Sequence, residues 1–270
     1  MSSPTFPGLE GATALVTGSS RGIGAGIADA LQAAGARVLR HGSPAHASQV
    51  QDDSMILADL STEQGIGELT AAVHARVEQL DILVNNAGVE LPAPLTAMDG
   101  ASLRQTFDVN VVAPILITGS LVPLLRQGRP GTVINVTSIH DSVPYAGNVA
   151  YVASKAALDA AGRTMALELA ASGIRVNSIA PGAIETDINR DVIEEMGRDR
   201  FESWIPLGRV GAIDDLVGAV LFLASDASRY VTGSRILIDG GYSQALLRYG
   251  LTGEEVARNS AREPPADRRS

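Results

Sequence analysis

The sequence predicts an α/β protein: one domain on a doubly wound parallel sheet with helices on both faces. Short β-branched runs alternate with longer Ala- and Leu-rich stretches along nearly the whole chain. Runs such as ILVNN and VINV are apolar at consecutive positions, which suits strands buried on both sides. A length of 270 residues with a 45% hydrophobic fraction is enough for a single continuous core, and at 4% aromatic content that core is built from Ala, Val, Leu and Ile.

In order, ATALVT at 12–17 is the first strand, followed by a helix over GIADALQAAG. ARVLRH at 36–41 and SMILA at 54–58 are the second and third, and a helix then runs to about 79. DILVNN at 81–86 precedes a helix over about 101–127, and GTVINVTS at 131–138 precedes one over about 151–172. IRVNSIA at 174–180, a helix near 213–225 and RILID at 235–239 complete the pattern. The segment between Ser43 and Met55 is too short for a crossover helix of usual length. Residues 1–8 read as an N-terminal arm, 9–245 as the domain and 246–270 as a polar tail, in which the four acids and four arginines after residue 250 cancel.

A formal charge of -9 argues against a nucleic-acid partner, because counterion release needs clustered Lys and Arg. The absence of cysteine removes disulfide and thiolate chemistry, and no metal site is assigned. MSSPTFPGLEG lacks a basic region followed by an apolar run, and no stretch is expected to reach the roughly 18 apolar residues of a membrane helix, so a cytoplasmic protein with no membrane partner is expected.

Ligands of such sheets bind beyond the carboxyl ends of the strands. There TGSSRGIG, 17–24, links the first strand to the first helix. Gly18 allows a sharp turn, Gly22 lets backbone N–H groups approach a pyrophosphate and Gly24 permits close packing, with Ser20, Arg21 and Ile23 beside them. The spacing is GxxxGxG rather than GxGxxG, and a tight turn without ligand is the alternative. After the second strand, where an acid commonly holds the adenosine ribose, stand Gly42 and Ser43. Nothing there repels a 2′-phosphate and Arg21 could pair with it, which favours NADP over NAD; otherwise Arg21 is solvated and either serves. Arg40 supports the same site or faces solvent.

Among 21 Lys and Arg residues one is lysine, Lys155, four positions after Tyr151 in YVASK. A compact ammonium one helical turn from a phenol favours phenolate, whose ordinary pKa near ~10 is otherwise too high for acid/base work at neutral pH.

Together these residues resemble the short-chain dehydrogenase/reductase family from residue 9 to about 243: TGSSRGIG, Asp59-Leu60, NNAG at 85–88, Asn110 in FDVNVVAP, Ser138, YVASK, PGAIET at 181–186 and FLASDASRYVTGSRILIDGG at 222–241. The resemblance implies a Rossmann-type fold and an NAD(P)-dependent oxidoreductase, usually a cytoplasmic homotetramer. It implies Tyr151 as general acid/base, Lys155 also on the nicotinamide ribose, Ser138 on the substrate oxygen and Asn110 holding a relay water. It carries Asp59 and Leu60 to the adenine, Asn86 to the adenosine-side ribose region, and Ile184 and Thr186 to the nicotinamide carboxamide, with Ala87, Gly88, Pro181 and Gly182 also in the cofactor site. Asp59 also suits the N-cap of the next helix.

SIHDSVP at 138–144 and PGAIETDIN at 181–189 look like the family's glucose 1-dehydrogenases, which leans the substrate toward a sugar or polyol. Ser138, His140, Glu90 and Glu185 would supply the polar partners its hydroxyls need, unless His140 is a surface loop residue. A 3-oxoacyl thioester is the runner-up, with Arg126 and Arg129 as a docking patch for an acidic carrier. A silent nucleotide-binding regulator has no chemical need of the set Asn110, Ser138, Tyr151 and Lys155.

Overall fold

A computed structural model describes residues 6–45, 55–127, 129, 131–186 and 190–245. The strands are β1 (Thr13–Val16), β2 (Arg37–Gly42), β3 (Ile56–Leu57), β4 (Ile82–Asn85), β5 (Thr132–Val136), β6 (Arg175–Pro181) and β7 (Arg235–Ile238). They form one seven-stranded sheet in the order β3-β2-β1-β4-β5-β6-β7, every pairing parallel. The order reverses between β1 and β4, where a doubly wound sheet opens a crevice at its carboxyl edge. The third strand is two residues rather than five, and most of the short crossover before it lies outside the described residues.

The helices are α1 (Gly22–Ala33), α2 (Glu63–Arg76), α3 (Gly100–Phe107), α4 (Ala113–Leu125), α5 (Val149–Leu169), α6 (Arg190–Met196), α7 (Arg198–Glu202) and α8 (Asp214–Ala224). Local chemistry sets their starts. Thr62 caps α2 by accepting from Gly65 N at 3.0 Å, and Asp99 caps α3 through Ala101 N and Ser102 N. The short α6 and α7 have no counterpart in the elements expected from the sequence, because they belong to a small separate cluster of Ile193, Ile205 and Val210 rather than to the main repeat of strand and helix.

The strands alternate side chains between two cores. Leu15, Leu83 and Val133 pack with Leu69 of α2 and Ile117 and Leu121 of α4, while Val16, Ile82, Val84 and Ile134 pack with Ile27 and Leu31 of α1 and Val220 and Leu223 of α8. Each such side chain contributes about 1.5–3 kcal/mol by leaving water.

The helix expected over about 101–127 is interrupted by a π-turn at Asp108–Val112, where Ala113 N bonds back to Asp108 O. Pro114 has no N–H, so the Asn110 carbonyl lacks the amide four residues on that a regular helix would supply. The whole run Gly100–Leu125 is 26 residues with mean hydropathy 1.7 in its most apolar window, long and apolar enough to cross a membrane by length and composition, which corrects the expectation that no stretch would be. Half of that window is buried within the fold.

Phe6, Pro7 and Gly8, assigned to an arm, are docked: Phe6 packs on the second core, Asp226 N donates to Pro7 O and Arg129 donates to Gly8 O. The tail from 246 lies outside the described residues.

Candidate functional site

The glycine loop closes on the turn after β4. Gly18 and Gly22 have φ of +63° and +58°, a region that favours glycine. A Cβ on Gly18 would stand 2.8 Å from Ala87 Cα, and one on Gly24 would stand 2.2 Å from Gly18 O and 2.3 Å from Asn86 Nδ2. Gly24 therefore serves the loop's own closure more than the packing of helix on sheet. Asn86 Nδ2 donates to Thr17 O and Gly18 O, and Thr17 Oγ1 accepts from the N–H groups of Asn86 and Ala87. The Asn86 Nδ2 group thus straps the loop, a structural role beyond the ribose contact expected for this residue.

The loop fits a dinucleotide pyrophosphate. Arg21, at the N-cap of α1, makes no side-chain cap, and the first turn carries no acid, so the helix offers uncapped N–H groups to an anion. A Cβ at Gly22 would meet only Thr186 Cγ2, at 3.8 Å, which puts Thr186 on the opposite wall. At the adenosine end, Gly42 lies close to Ser20, with Ser43 following and no carboxylate among the described residues 43–45 after β2. Arg40 is turned to α1, where it pairs with Asp29 at 2.6 Å. Asp59 accepts from Ser61 N and Oγ in the turn before α2, whose cap is Thr62 and not Asp59. Leu60 has its side chain in the first core, Ile23 packs on the second, and Ile184 is buried against Gly211. These three side chains are engaged in packing, so any contact they make with a cofactor would be through the backbone. Gly182 N bonds Ile238 O beside Pro181, tying the end of β6 to β7.

At the ends of β4 and β5 the remaining groups converge. Tyr151 and Lys155 lie one turn apart on α5, and the Tyr151 hydroxyl hydrogen-bonds Ser138, just beyond β5. Lys155 Nζ donates to Val136 O at 2.9 Å and sits 5.7 Å from the Tyr151 ring centroid. Asn110 is fully buried: Nδ2 donates to Val89 O and Ser154 Oγ, and Oδ1 accepts from Val89 N. A Cβ at Gly88 would lie 3.3 Å from Asn110 Oδ1 and 3.4 Å from Lys155 Nζ, so the missing side chain lets these groups approach. Asn110, expected to hold a relay water, has its side chain committed to its neighbours.

Burial governs the charges. It pushes the Tyr151 phenol up to about 12, reinforced by the Glu90 and Asp141 carboxylates and opposed by the Ser138 hydrogen bond. It pulls the Lys155 ammonium down to about 8, against the same two carboxylates. Lysine was expected to lower the tyrosine's pKa; in the free protein the shift is upward, because burial outweighs the Ser138 hydrogen bond that lowers it.

On the substrate side, the Tyr145 hydroxyl donates to Glu90 Oε1, and the Tyr145 and His140 rings meet at 4.1 Å between centroids. Burial and the Glu90 carboxylate push Tyr145 well above the ordinary phenol range. His140 Nδ1 bonds Val143 O at 2.8 Å and its backbone N–H donates to Ser138 Oγ, so it belongs to the site's wall. Tyr145 went unrecognised in the sequence; an aromatic after Pro144, between Ser138 and Tyr151, was the available signal. Glu185, expected here, is held by Arg198 at 2.9 and 3.1 Å and by Arg190 at 3.6 Å, so it braces α6 and α7 instead. Arg126 bonds Ser172, and Arg129 bonds Gly8. Both precede β5 and thus lie at the opposite end of the sheet from Ser138. Two cavities of ≈ 640 and ≈ 270 Å³ open at that far end, around Arg37 and Asp81 and around Arg129 and Arg175.

The model of the enoyl-(acyl carrier protein) reductase family matches residues 18–243. The chain is 34% identical over 248 residues to 3beta-hydroxysteroid dehydrogenase 1 of Eggerthella lenta, covering 87% of this chain and 95% of that one. It is 32% identical over 239 residues to the 3-oxoacyl-(acyl-carrier-protein) reductase FabG of Escherichia coli, covering 86% and 98%. It is 33% identical over 248 residues to glucose 1-dehydrogenase 2 of Bacillus subtilis, covering 87% and 96%. Among solved structures, a gluconate 5-dehydrogenase from Burkholderia cenocepacia in complex with NADP and tartrate superposes with a TM-score of 0.79 at 31% identity, covering 88% and 97%.

Proposed function

Since the chain belongs to the short-chain dehydrogenase/reductase family, and is with it a nicotinamide-dependent oxidoreductase of CH–OH or keto groups, we propose that it acts on a sugar or polyol with NADP, using Tyr151 as general acid/base. The observation that carries this is the polar wall of Glu90, Tyr145 and His140 beside the Ser138–Tyr151 pair. A substrate hydroxyl finds acceptors and donors there, whereas a wall built for an acyl chain would leave these groups unpaired.

The bound nicotinamide supplies or receives the hydride. Ser138 holds the reacting oxygen and, by its bond to Tyr151, lines it up with the phenol. With its pKa at about 12 the phenol is protonated at neutral pH, ready to donate to an alkoxide as it forms. Lys155, still an ammonium at neutral pH with its pKa at about 8, offsets the phenolate that results. In this mechanism the Asn110 carbonyl, with a proline rather than an amide donor at residue 114, would hold a water that returns the proton. In this reading NADP is favoured over NAD by Gly42 and Ser43 standing at the end of β2 in place of a carboxylate, and by the NADP held in the Burkholderia structure.

The enzyme assembles in this reading as a cytoplasmic homotetramer. Val112, Ile115 and Leu116, between 37% and 42% exposed, form an apolar face at helical spacing, which a second copy would cover. Light scattering should report four times the monomer mass at micromolar protein; a monomer would sink the assembly.

Reduction of a 3-oxoacyl thioester is supported by the identity with the E. coli reductase, but Arg126 and Arg129 are engaged far from the site. The deciding experiment follows absorbance of reduced nicotinamide with NADP and NAD against aldoses, polyols and secondary alcohols, and in reverse against oxoacyl thioesters. Turnover on a sugar or polyol supports the proposal. Activity on thioesters alone replaces it with the second reading.

A further inference from the structure

His41, in β2, is 2% exposed, and both of its ring nitrogens are engaged. The Gly18 N–H donates to Nδ1 at 3.1 Å, and Nε2 lies 3.1 Å from the Ala58 carbonyl just after β3. A nitrogen that accepts carries no proton, so the ring is neutral, with its hydrogen on Nε2 donated to Ala58. The backbone repeats the link: Ser19 N donates to His41 O at 2.8 Å, and His41 N donates to Ser19 Oγ at 3.1 Å. The imidazole is thereby a strut between the first glycine of the loop and the end of β3.

From this geometry we propose that His41 is a positioning residue for the dinucleotide: its neutral ring holds the Gly18 amide, and with it the glycine loop, in the cofactor-binding arrangement, and protonation of the ring weakens cofactor binding. The inference rests on the family's use of a nicotinamide dinucleotide and is independent of the substrate.

A protonated Nδ1 would present N–H to the N–H of Gly18, two donors face to face in a buried place. The loop cannot relax toward the turn after β4, because even a Cβ at Gly18 would come within 2.8 Å of Ala87 Cα. It must move the other way, carrying the uncapped N-terminus of α1 off its anion. Burial lowers the ring's proton affinity below the ordinary histidine value, with the Ala58 carbonyl pulling in the opposite direction, so the strut is intact at neutral pH. Among the described residues, the charged side chains on the surrounding elements are Arg21 on the loop, Arg37 turned to the Arg76 carbonyl, Arg40 paired with Asp29, and Asp59 bonded to Ser61. Burial and the Ala58 carbonyl, rather than any of these, set the ring's charge state. Since only the neutral ring binds well, linkage requires the cofactor to oppose protonation in equal measure.

The full-length protein, labelled with 15N-histidine, would be titrated by NMR from about pH 8 to 5.5, free and with saturating NADPH, the His41 ring being assigned through its contacts to Gly18 and Ala58. The expected result is an Nε2–H tautomer whose protonation midpoint falls when NADPH is added. In parallel, NADPH Kd is measured for wild type and His41→Asn, whose amide oxygen can accept from Gly18 but does not titrate. Wild-type Kd should rise by up to about tenfold per pH unit below the ring's own midpoint, and the variant should lack that rise. The 2′-phosphate titrates equally in both, so the ratio of the two Kd values is the readout. A Nδ1–H tautomer, a midpoint unmoved by NADPH, or a Kd ratio constant across the range would overturn the proposal; the wild-type NMR result decides alone if the variant does not fold.

Discussion

Arg235, at the start of β7, holds Asp141 through both edges of its guanidinium, Nε to Oδ2 and Nη2 to Oδ1 at 2.6 Å each. Asp141 has a side chain only 3% exposed and closes the short turn that begins at Ser138. An outer strand thus fixes the turn that follows Ser138, the group proposed to bind the reacting oxygen. Arg235→Leu would leave that carboxylate buried without its counter-charge, with the Ser142 hydroxyl at 2.8 Å as its remaining side-chain donor. With the arginine one quarter exposed, the expected cost is roughly 2–4 kcal/mol, measured by urea unfolding, together with reduced turnover. A loss below about 1 kcal/mol would mean that solvent replaces the arginine with little penalty.

Tyr151→Phe removes the proton and leaves the ring. Turnover should fall by about a hundred- to ten-thousand-fold while NADPH binding, followed by fluorescence, stays near the wild-type value. Near-normal activity in this variant would remove tyrosine from the mechanism.

In the proposed mechanism the reductive direction needs a protonated Tyr151 and a charged Lys155. With Tyr151 at about 12 and Lys155 at about 8, log kcat/KM for carbonyl reduction should be level near neutrality and decline as pH rises through about 8. A profile flat to pH ~10 would show that the lysine's charge is not required.

Gly24→Ala places a methyl against the Gly18 carbonyl and the Asn86 amide, both parts of the closed loop. The expected outcome is a stability loss of about 1–3 kcal/mol and an NADPH Kd at least about tenfold weaker, read by titration calorimetry. Unchanged affinity would mean that the loop closes without the contacts seen at Gly24.

What was legible in the chain was whatever is local or periodic. Seven apolar runs became seven parallel strands, because a strand buried on both faces must be apolar at consecutive positions. The GxxxGxG loop followed from its place between β1 and α1, and Tyr151 with Lys155 from one helical turn of separation. The π-turn was not legible: a proline near the start of α4 is compatible with a regular helix as well.

Tertiary structure alone decided which partners the polar groups took. Glu185 and Asn86 looked equally suited to a ligand, yet one is held by Arg198 and the other straps the glycine loop, since nearby donors and acceptors compete for any polar group brought indoors. Tyr145 meets Glu90 across 55 residues and Arg235 meets Asp141 across 94, separations at which no spacing rule operates. The sign of the tyrosine's shift turned on burial in the same way. A sequence specifies which charges can be near each other along a helix, whereas the solvent that each loses depends on everything folded around it, and here that loss is the larger effect.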